Sequence, residues 1–138
     1  MGASKDTQLN GFEPVGNLGD FDSLLGPYLV KQTDDNSALC AFIPDKRHTT
    51  FSGALHKGAL TAFAEFALFR AAESMAGGDS DLMAFTSEFI SSGRLGEAVI
   101  GTASCTRVTK NVIFLKGQLR SGDEILLTFT AIAGRQRK

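Results

Sequence analysis

Residues 53–72, GALHKGALTAFAEFALFRAA, constrain the fold more than any other stretch. Alanine and leucine dominate it, and both are strong helix formers. The pattern predicts a helix over about Gly58 to Met75, roughly 27 Å long at 1.5 Å per residue. Gly77 and Gly78 are expected to stop it, because glycine tolerates the left-handed backbone that closes helices. The helix reads as apolar on nearly every face, and such a helix must be surrounded. Its longest apolar stretch, Ala62 to Ala72, is interrupted by Glu65 and Arg70. That excludes a membrane span, which needs about 20 apolar residues.

The covering layer has to come from the flanking segments. Before the helix, YLVKQ and SALCAFIP flank TDDN, two short strands around an Asp/Asn turn. After it come four strand-like stretches, beginning LMAFTSEFI, EAVIGTASCTRV, VIFLKGQLR and ILLTFTAIA. In the last, Ile125, Leu127, Phe129 and Ala131 are expected on one face, with Leu126, Thr128, Thr130 and Ile132 on the other. Short turns between the late strands imply antiparallel pairing. The order strand, strand, helix, four strands predicts an α+β protein: a strongly curved antiparallel sheet wrapped around one long central helix. Residues 1–19, with four glycines, are expected to form a mobile arm, and residues 20–138 one domain. DFDSLLGPYL predicts a helical turn capped by Asp20 or Asp22 and ended by Gly26-Pro27. DKRHTTFSGALH reads as loop.

Several functional classes drop out. A net charge of -1 provides no basic field for nucleic acid. The start MGASKDTQLNG is polar and lacks a signal-peptide core, and Lys5 and Asp6 stand where a myristoylation motif wants a hydroxyl. Cys40 and Cys105 lie in apolar, strand-like segments and read as small core residues in a reducing cytoplasm. His48 and His56 stand eight apart without a carboxylate or thiolate at ligand spacing, so no metal site is expected. There is no Gly-x-Ser-x-Gly elbow and no phosphate-binding loop.

That leaves Glu65. Burial in an apolar helix raises a carboxylate's pKa, so a working carboxylate there needs a donor. Thr61, one turn earlier on the same face, is the candidate. The alternative is a Glu that points to solvent or pairs with a cation; Arg70, five positions on, lies off its face.

The segment LGPYLVKQTDDNSALCAFIPDKRHTTFSGALHKGALTAFAEFALFRAA resembles the hotdog-fold acyl-CoA thioesterases of the phenylacetate-degradation type. Their pattern is a loop His, then Asn, then Gly, then His-Gly-Gly opening the central helix, with an acidic residue nine positions after the second His. His48, Thr50, Gly53, His56, Lys57, Gly58 and Glu65 stand at those places. EFISSGRLGE is similar to the family's strand end before a Gly-Glu turn. The resemblance covers about residues 25–133. This chain departs from the pattern at Thr50, which replaces Asn, and at Lys57, which replaces the first Gly. Ser91-Ser92 stands where Arg-Pro is common, and Leu82 and Phe69 stand where some members carry a hydroxyl.

The resemblance implies the hotdog fold and hydrolysis of an acyl-CoA, or acyl carrier, thioester to free acid and thiol. Coenzyme A would be part of the substrate and no cofactor is implied. Glu65 would act as base on water or as nucleophile, and the Lys57 backbone N–H would polarise the carbonyl. His56 would donate near the thioester or fix the helix start. His48, Thr50, Gly58, Thr61, Ser87, Ser91 and Arg94 are the candidate substrate-binding residues. Against each stands a plainer role: loop order for His48, close packing for Gly58, strand polarity for Ser87 and Ser91. Arg94 and the Lys57 side chain could instead meet coenzyme A phosphates, and Arg135, Arg137 and Lys138 read as solvated. Open strand edges need partners, and the resemblance implies a dimer or tetramer with Glu65 of one chain facing loops of the other. Two further readings stay open. One is a non-catalytic hotdog acyl-CoA-binding module, which the Thr50 and Lys57 departures favour. The other is a dehydratase of 3-hydroxyacyl thioesters.

Overall fold

The computed structural model describes residues 9–33, 37–76 and 79–135. The expected elements are present in the expected order. Strands β1 (Glu13–Pro14), β2 (Leu29–Lys31) and β3 (Ser37–Phe42) precede the long helix, with helix α1 (Asp20–Leu25) between β1 and β2. The long helix is α2 (Lys57–Ala76), 20 residues, followed by β4 (Ser80–Phe89), β5 (Val99–Val108), β6 (Val112–Ser121) and β7 (Glu124–Arg135). Residues 1–8 of the expected arm, the turn at 34–36, the Gly77-Gly78 stop and the tail residues Arg137 and Lys138 lie outside the described residues.

All seven strands form one antiparallel sheet, in the order β1-β2-β3-β5-β6-β7-β4. Strands β3 to β7 all touch α2. Five strands reach a single helix only if the sheet curves round it. The helix side of the sheet is apolar, with Cys40, Phe42, Val99, Ala103, Leu115, Leu119 and Leu127 all buried. Gly117 leaves room within the sheet for its neighbours: a Cβ there would overlap the Thr102 carbonyl of β5 and the ring of Phe129 of β7.

The wrap covers one side of α2, which corrects the expectation of an enclosed helix. Ala59, Leu60, Phe63, Ala64, Ala67, Leu68, Ala71 and Ala72 are buried against the sheet. The opposite stripe, with Ala62, Glu65, Phe66 and Phe69, is only half-buried. One sheet has one concave face, so among the described residues the second apolar stripe is covered only in part, by Tyr28 and by α1.

Strand β7 also departs from strict alternation. Leu127, Phe129, Ala131 and Ala133 are buried, but so is Leu126, while Ile125 is 37% exposed. A register shift explains it: Leu119 faces Leu127 and Arg120 faces Ile125, so Leu126 is an extra residue that turns inward. Its carbonyl accepts Ile90 N–H at 2.8 Å.

Before the sheet, Leu9 and Phe12 pack on the Ala41, Ala98 and Ile100 cluster of the outer face. Helix α1 starts at Gly19, with no side-chain cap; the expected caps Asp20 and Asp22 lie inside its first turn. The segment read as loop contains a 3-10 turn, Lys46–His48, closed by a capping box between Asp45 and His48. Arg135, read as solvated, donates from Nη1 to the Thr109 carbonyl at 2.9 Å.

Candidate active site

The start of α2 sets the site. The first four N–H groups of a helix lack intrahelical acceptors. His56 takes two of them: its Nδ1 accepts Gly58 N–H at 2.8 Å and its carbonyl accepts Ala59 N–H at 3.0 Å, beside the first regular helix bond, from Leu60 N–H at 3.2 Å. The Lys57 N–H is left without an acceptor among the described residues, at the positive end of the helix dipole. A ring nitrogen that accepts leaves the proton of neutral imidazole on Nε2. His56 is therefore the helix cap, and its Nε2–H remains a second exposed donor. Gly58 follows from this geometry. A Cβ there would stand 2.9 Å from the His56 ring atoms Cε1 and Nδ1.

Glu65 lies two turns further along, on the half-buried stripe. Burial, and then the charge of Asp22, raise its pKa. No cation among the described residues offsets this. The ion pairs there are Asp45 with Arg47 and His48, and Arg94 with Glu97. Thr61 does not supply the expected donor, because its hydroxyl donates to the Lys57 carbonyl at 2.8 Å. The Asp22 carboxyl is itself raised by burial. The Asp22 charge thus opposes ionisation of Glu65 where α1 packs on α2.

The loop before α2 holds α1 in place. Arg47 donates to the Leu24 carbonyl at 2.7 Å and the Gly26 carbonyl at 2.6 Å, and His48 Nε2 meets the Leu25 carbonyl at 2.6 Å. Asp45 clamps Arg47, whose guanidinium holds the Asp45 carboxyl down at about 2. The His48 carbonyl accepts His56 N–H at 2.7 Å, tying the same turn to the helix cap.

The other expected contacts divide. His48 is corrected: it is 1% exposed, and its Nδ1 accepts Asp45 N–H while Nε2 is engaged with Leu25, so neither nitrogen is free for substrate. Ser91 is also corrected, since its hydroxyl donates to the Ile125 carbonyl at 2.6 Å and anchors the loop to the β7 bulge. Thr50 sits in a tight turn, its hydroxyl 3.0 Å from that of Ser52. Ser87, opposite Phe129, shares the helix-facing side of β4 and is half-buried. Arg94 is 73% exposed and 3.5 Å from Glu97. The Lys57 ammonium lies 5.6 Å from the centre of the Phe89 ring, so β4 draws it across the mouth of the site. The sequence reading missed Asp22, Tyr28 and Phe89, each of which meets α2 from another element.

A curved antiparallel sheet on one long helix, with an open N–H at the helix start and the half-buried carboxylate of Glu65 two turns on, defines a hotdog-fold protein. The chain matches the thioesterase superfamily over residues 52–128, more than half its length, and belongs to that family. Solved structures share the fold. A mutant of the phenylacetic acid degradation protein PaaI from Thermus thermophilus superposes with a TM-score of 0.78 at 19% identity, covering 86% of this chain and 100% of that one. Zebra fish thioesterase superfamily member 2 gives 0.79 at 15% identity, covering 96% of each chain. A hypothetical thioesterase from Streptococcus pneumoniae, solved with coenzyme A, gives 0.78 at 13% identity, covering 85% and 93%. No curated protein sequence matches the chain. No helix among the described residues is long and apolar enough to cross a membrane.

Proposed function

We propose that the protein hydrolyses an acyl thioester of coenzyme A, or of an acyl carrier, to the free acid and thiol. The observation that carries this is the single uncommitted N–H of Lys57 at the start of α2, on the helix that also bears Glu65. The Lys57 N–H, with His56 Nε2–H beside it, binds the thioester oxygen as negative charge develops there. Glu65 removes a proton from water as the water oxygen bonds to the carbonyl carbon. The tetrahedral adduct then expels the thiolate, which takes up a proton. Attack by the Glu65 carboxylate itself is the second route, through an anhydride that water cleaves.

Membership of the thioesterase superfamily supports this class of reaction, and the coenzyme A in the Streptococcus pneumoniae relative supports the carrier. Thr50, Gly58, Thr61, Ser87 and Arg94 would shape the substrate channel, with the exposed Arg94 exchanging Glu97 for a phosphate. The working unit in this proposal is a dimer or tetramer. Strand β4 leaves a ten-residue edge, and Phe66 and Phe69 leave a partly covered stripe, on the side where Glu65 stands. The two free cysteines, Cys40 and Cys105, fit a cytoplasmic setting.

A panel of short, long and aromatic acyl-CoA thioesters tests the reading: turnover by the wild type and none by Glu65→Gln supports it. One observation favours a binding module instead, the Lys57 side chain over Phe89 at the helix start. Thermal stabilisation by acyl-CoA without turnover would decide for that module.

A further inference from the structure

Tyr28 is 1% exposed, and its hydroxyl is the buried side-chain polar atom without a hydrogen-bond partner among the described residues. Buried hydroxyls are normally paired, and an unpaired one costs stability. Phenylalanine would fill the same space without that cost. Its aromatic neighbours are in fact Phe42, Phe63 and Phe66, at 5.9, 5.1 and 4.8 Å between ring centres. One oxygen is thus retained in a cluster otherwise built of phenylalanine.

The position of that oxygen gives it a use. Phe63 and Phe66 stand two residues before and one after Glu65, so the Tyr28 ring lies along the turn of α2 that carries the carboxylate. Of the other donors around this part of α2, Thr61 is committed to the Lys57 carbonyl, Gly58 to His56 and His48 to the Leu25 carbonyl, while the open Lys57 N–H and His56 Nε2–H stand two turns away at the helix start. Few charges among the described residues face this turn. Asp22 comes from α1, while Lys57, Arg70 and Glu73 flank Glu65 on α2 itself. Among the described residues the sheet turns the thiols of Cys40 and Cys105 and the uncharged hydroxyl of Ser87 to the helix side; Glu88 of β4 turns to the outer face, accepting from Thr128.

We propose that Tyr28 is a positioning residue for Glu65: its phenol O–H, open in this structure, turns to one oxygen of the carboxylate when Glu65 ionises and leaves the other to take the proton from water. The proposal rests on Glu65 being the hydrolytic carboxylate. Burial, then the charges of Asp22 and Glu65, push the phenol above its usual range, so it stays protonated and available as a donor. A donor to the charged form favours ionisation, against the burial and the Asp22 charge that resist it.

Tyr28→Phe tests this with two readouts. Carboxyl NMR titration of the protein alone follows Glu65, and the pH profile of kcat/KM follows the reaction. The expected result is a Glu65 midpoint raised by about one pH unit, with the acid limb moving the same way. That is about a tenfold loss of rate per unit on that limb. Thermal stability should be no lower than in the wild type below the Glu65 midpoint, where the carboxyl is neutral, and should fall above it, where the donor to the charged form is lost. A Glu65 midpoint that stays in place overturns the proposal, whatever the activity. A midpoint that rises in a protein without thioesterase activity upholds the contact and overturns the hydrolase reading alone.

Discussion

The imidazole of His56 and the backbone of Gly58 form one unit: Nδ1 accepts the Gly58 N–H at 2.8 Å, and the missing Cβ leaves the ring its place. By capping Gly58 and Ala59, His56 leaves Lys57 as the open donor. The polarising group is thereby defined by what its neighbours consume.

Gly58→Ala should therefore destabilise, against helix propensity. Alanine in a helix interior is favoured over glycine by about 1 kcal/mol. Here the added Cβ meets the His56 ring at 2.9 Å and pushes it off the cap. Loss of an N-cap costs about 0.5–2 kcal/mol. Thermal melts should place Gly58→Ala at or below the wild type, with a larger fall in kcat than in stability. A clear rise in Tm would show that the ring can move at no cost.

His56→Ala and His56→Asn separate cap from donor. Alanine should lose about 1 kcal/mol, while asparagine, a good cap, should recover most of it. If the Nε2–H binds the thioester oxygen, asparagine will restore the melting temperature but not the rate. Recovery of both in steady-state assays would reduce His56 to its capping role.

Much of this was legible in the chain. The apolar stretch, its glycine stop and the alternating late strands predict one helix and an antiparallel sheet, because hydrophobic period is a local property. The spacing of His56 and Glu65 on a single helix was legible for the same reason. Contacts between elements were not. Asp22 reads as a helix cap until α1 is packed on α2, and Tyr28 reads as a strand residue until its ring meets Phe63 and Phe66. The inward turn of Leu126 depends on a bulge that no alternation pattern encodes. The one-sided cover of α2 was hidden because apolar character gives no account of which stripe a single sheet reaches.

Lys57→Pro removes the proposed donor with little other change. Proline is favoured at the first helical position, where its missing N–H has no intrahelical acceptor. The helix should persist by circular dichroism. Turnover should fall about 10²–10³-fold, as when one oxyanion donor is deleted. Lys57→Ala keeps the N–H while losing the contact with Phe89, and should fall far less. Equal losses in the two variants would assign the effect to the ammonium.

Glu65→Gln should abolish hydrolysis, by on the order of 10³-fold, yet stabilise the fold at neutral pH. The Glu65 pKa is raised in the folded chain, by burial first and the Asp22 charge second. Below the unfolded value of about 4.3, the acid is neutral in both states and wild type and variant should melt alike. As pH rises, the unfolded chain ionises more readily than the folded one, and the wild type loses stability until the folded value is passed. Glutamine has no such loss, so the gap in Tm should open above about pH 4.3 and level off at higher pH. Asp22→Asn should narrow that gap and move the acid limb of kcat/KM to lower pH, because it removes the charge that opposes ionisation of Glu65. Melting curves across acid to neutral pH with the three proteins would check both signs. A Glu65→Gln variant that melts below the wild type at neutral pH would mean that the ionised carboxylate is held more strongly in the fold than in the open chain, and the account of a carboxylate opposed by burial and by Asp22 would fail.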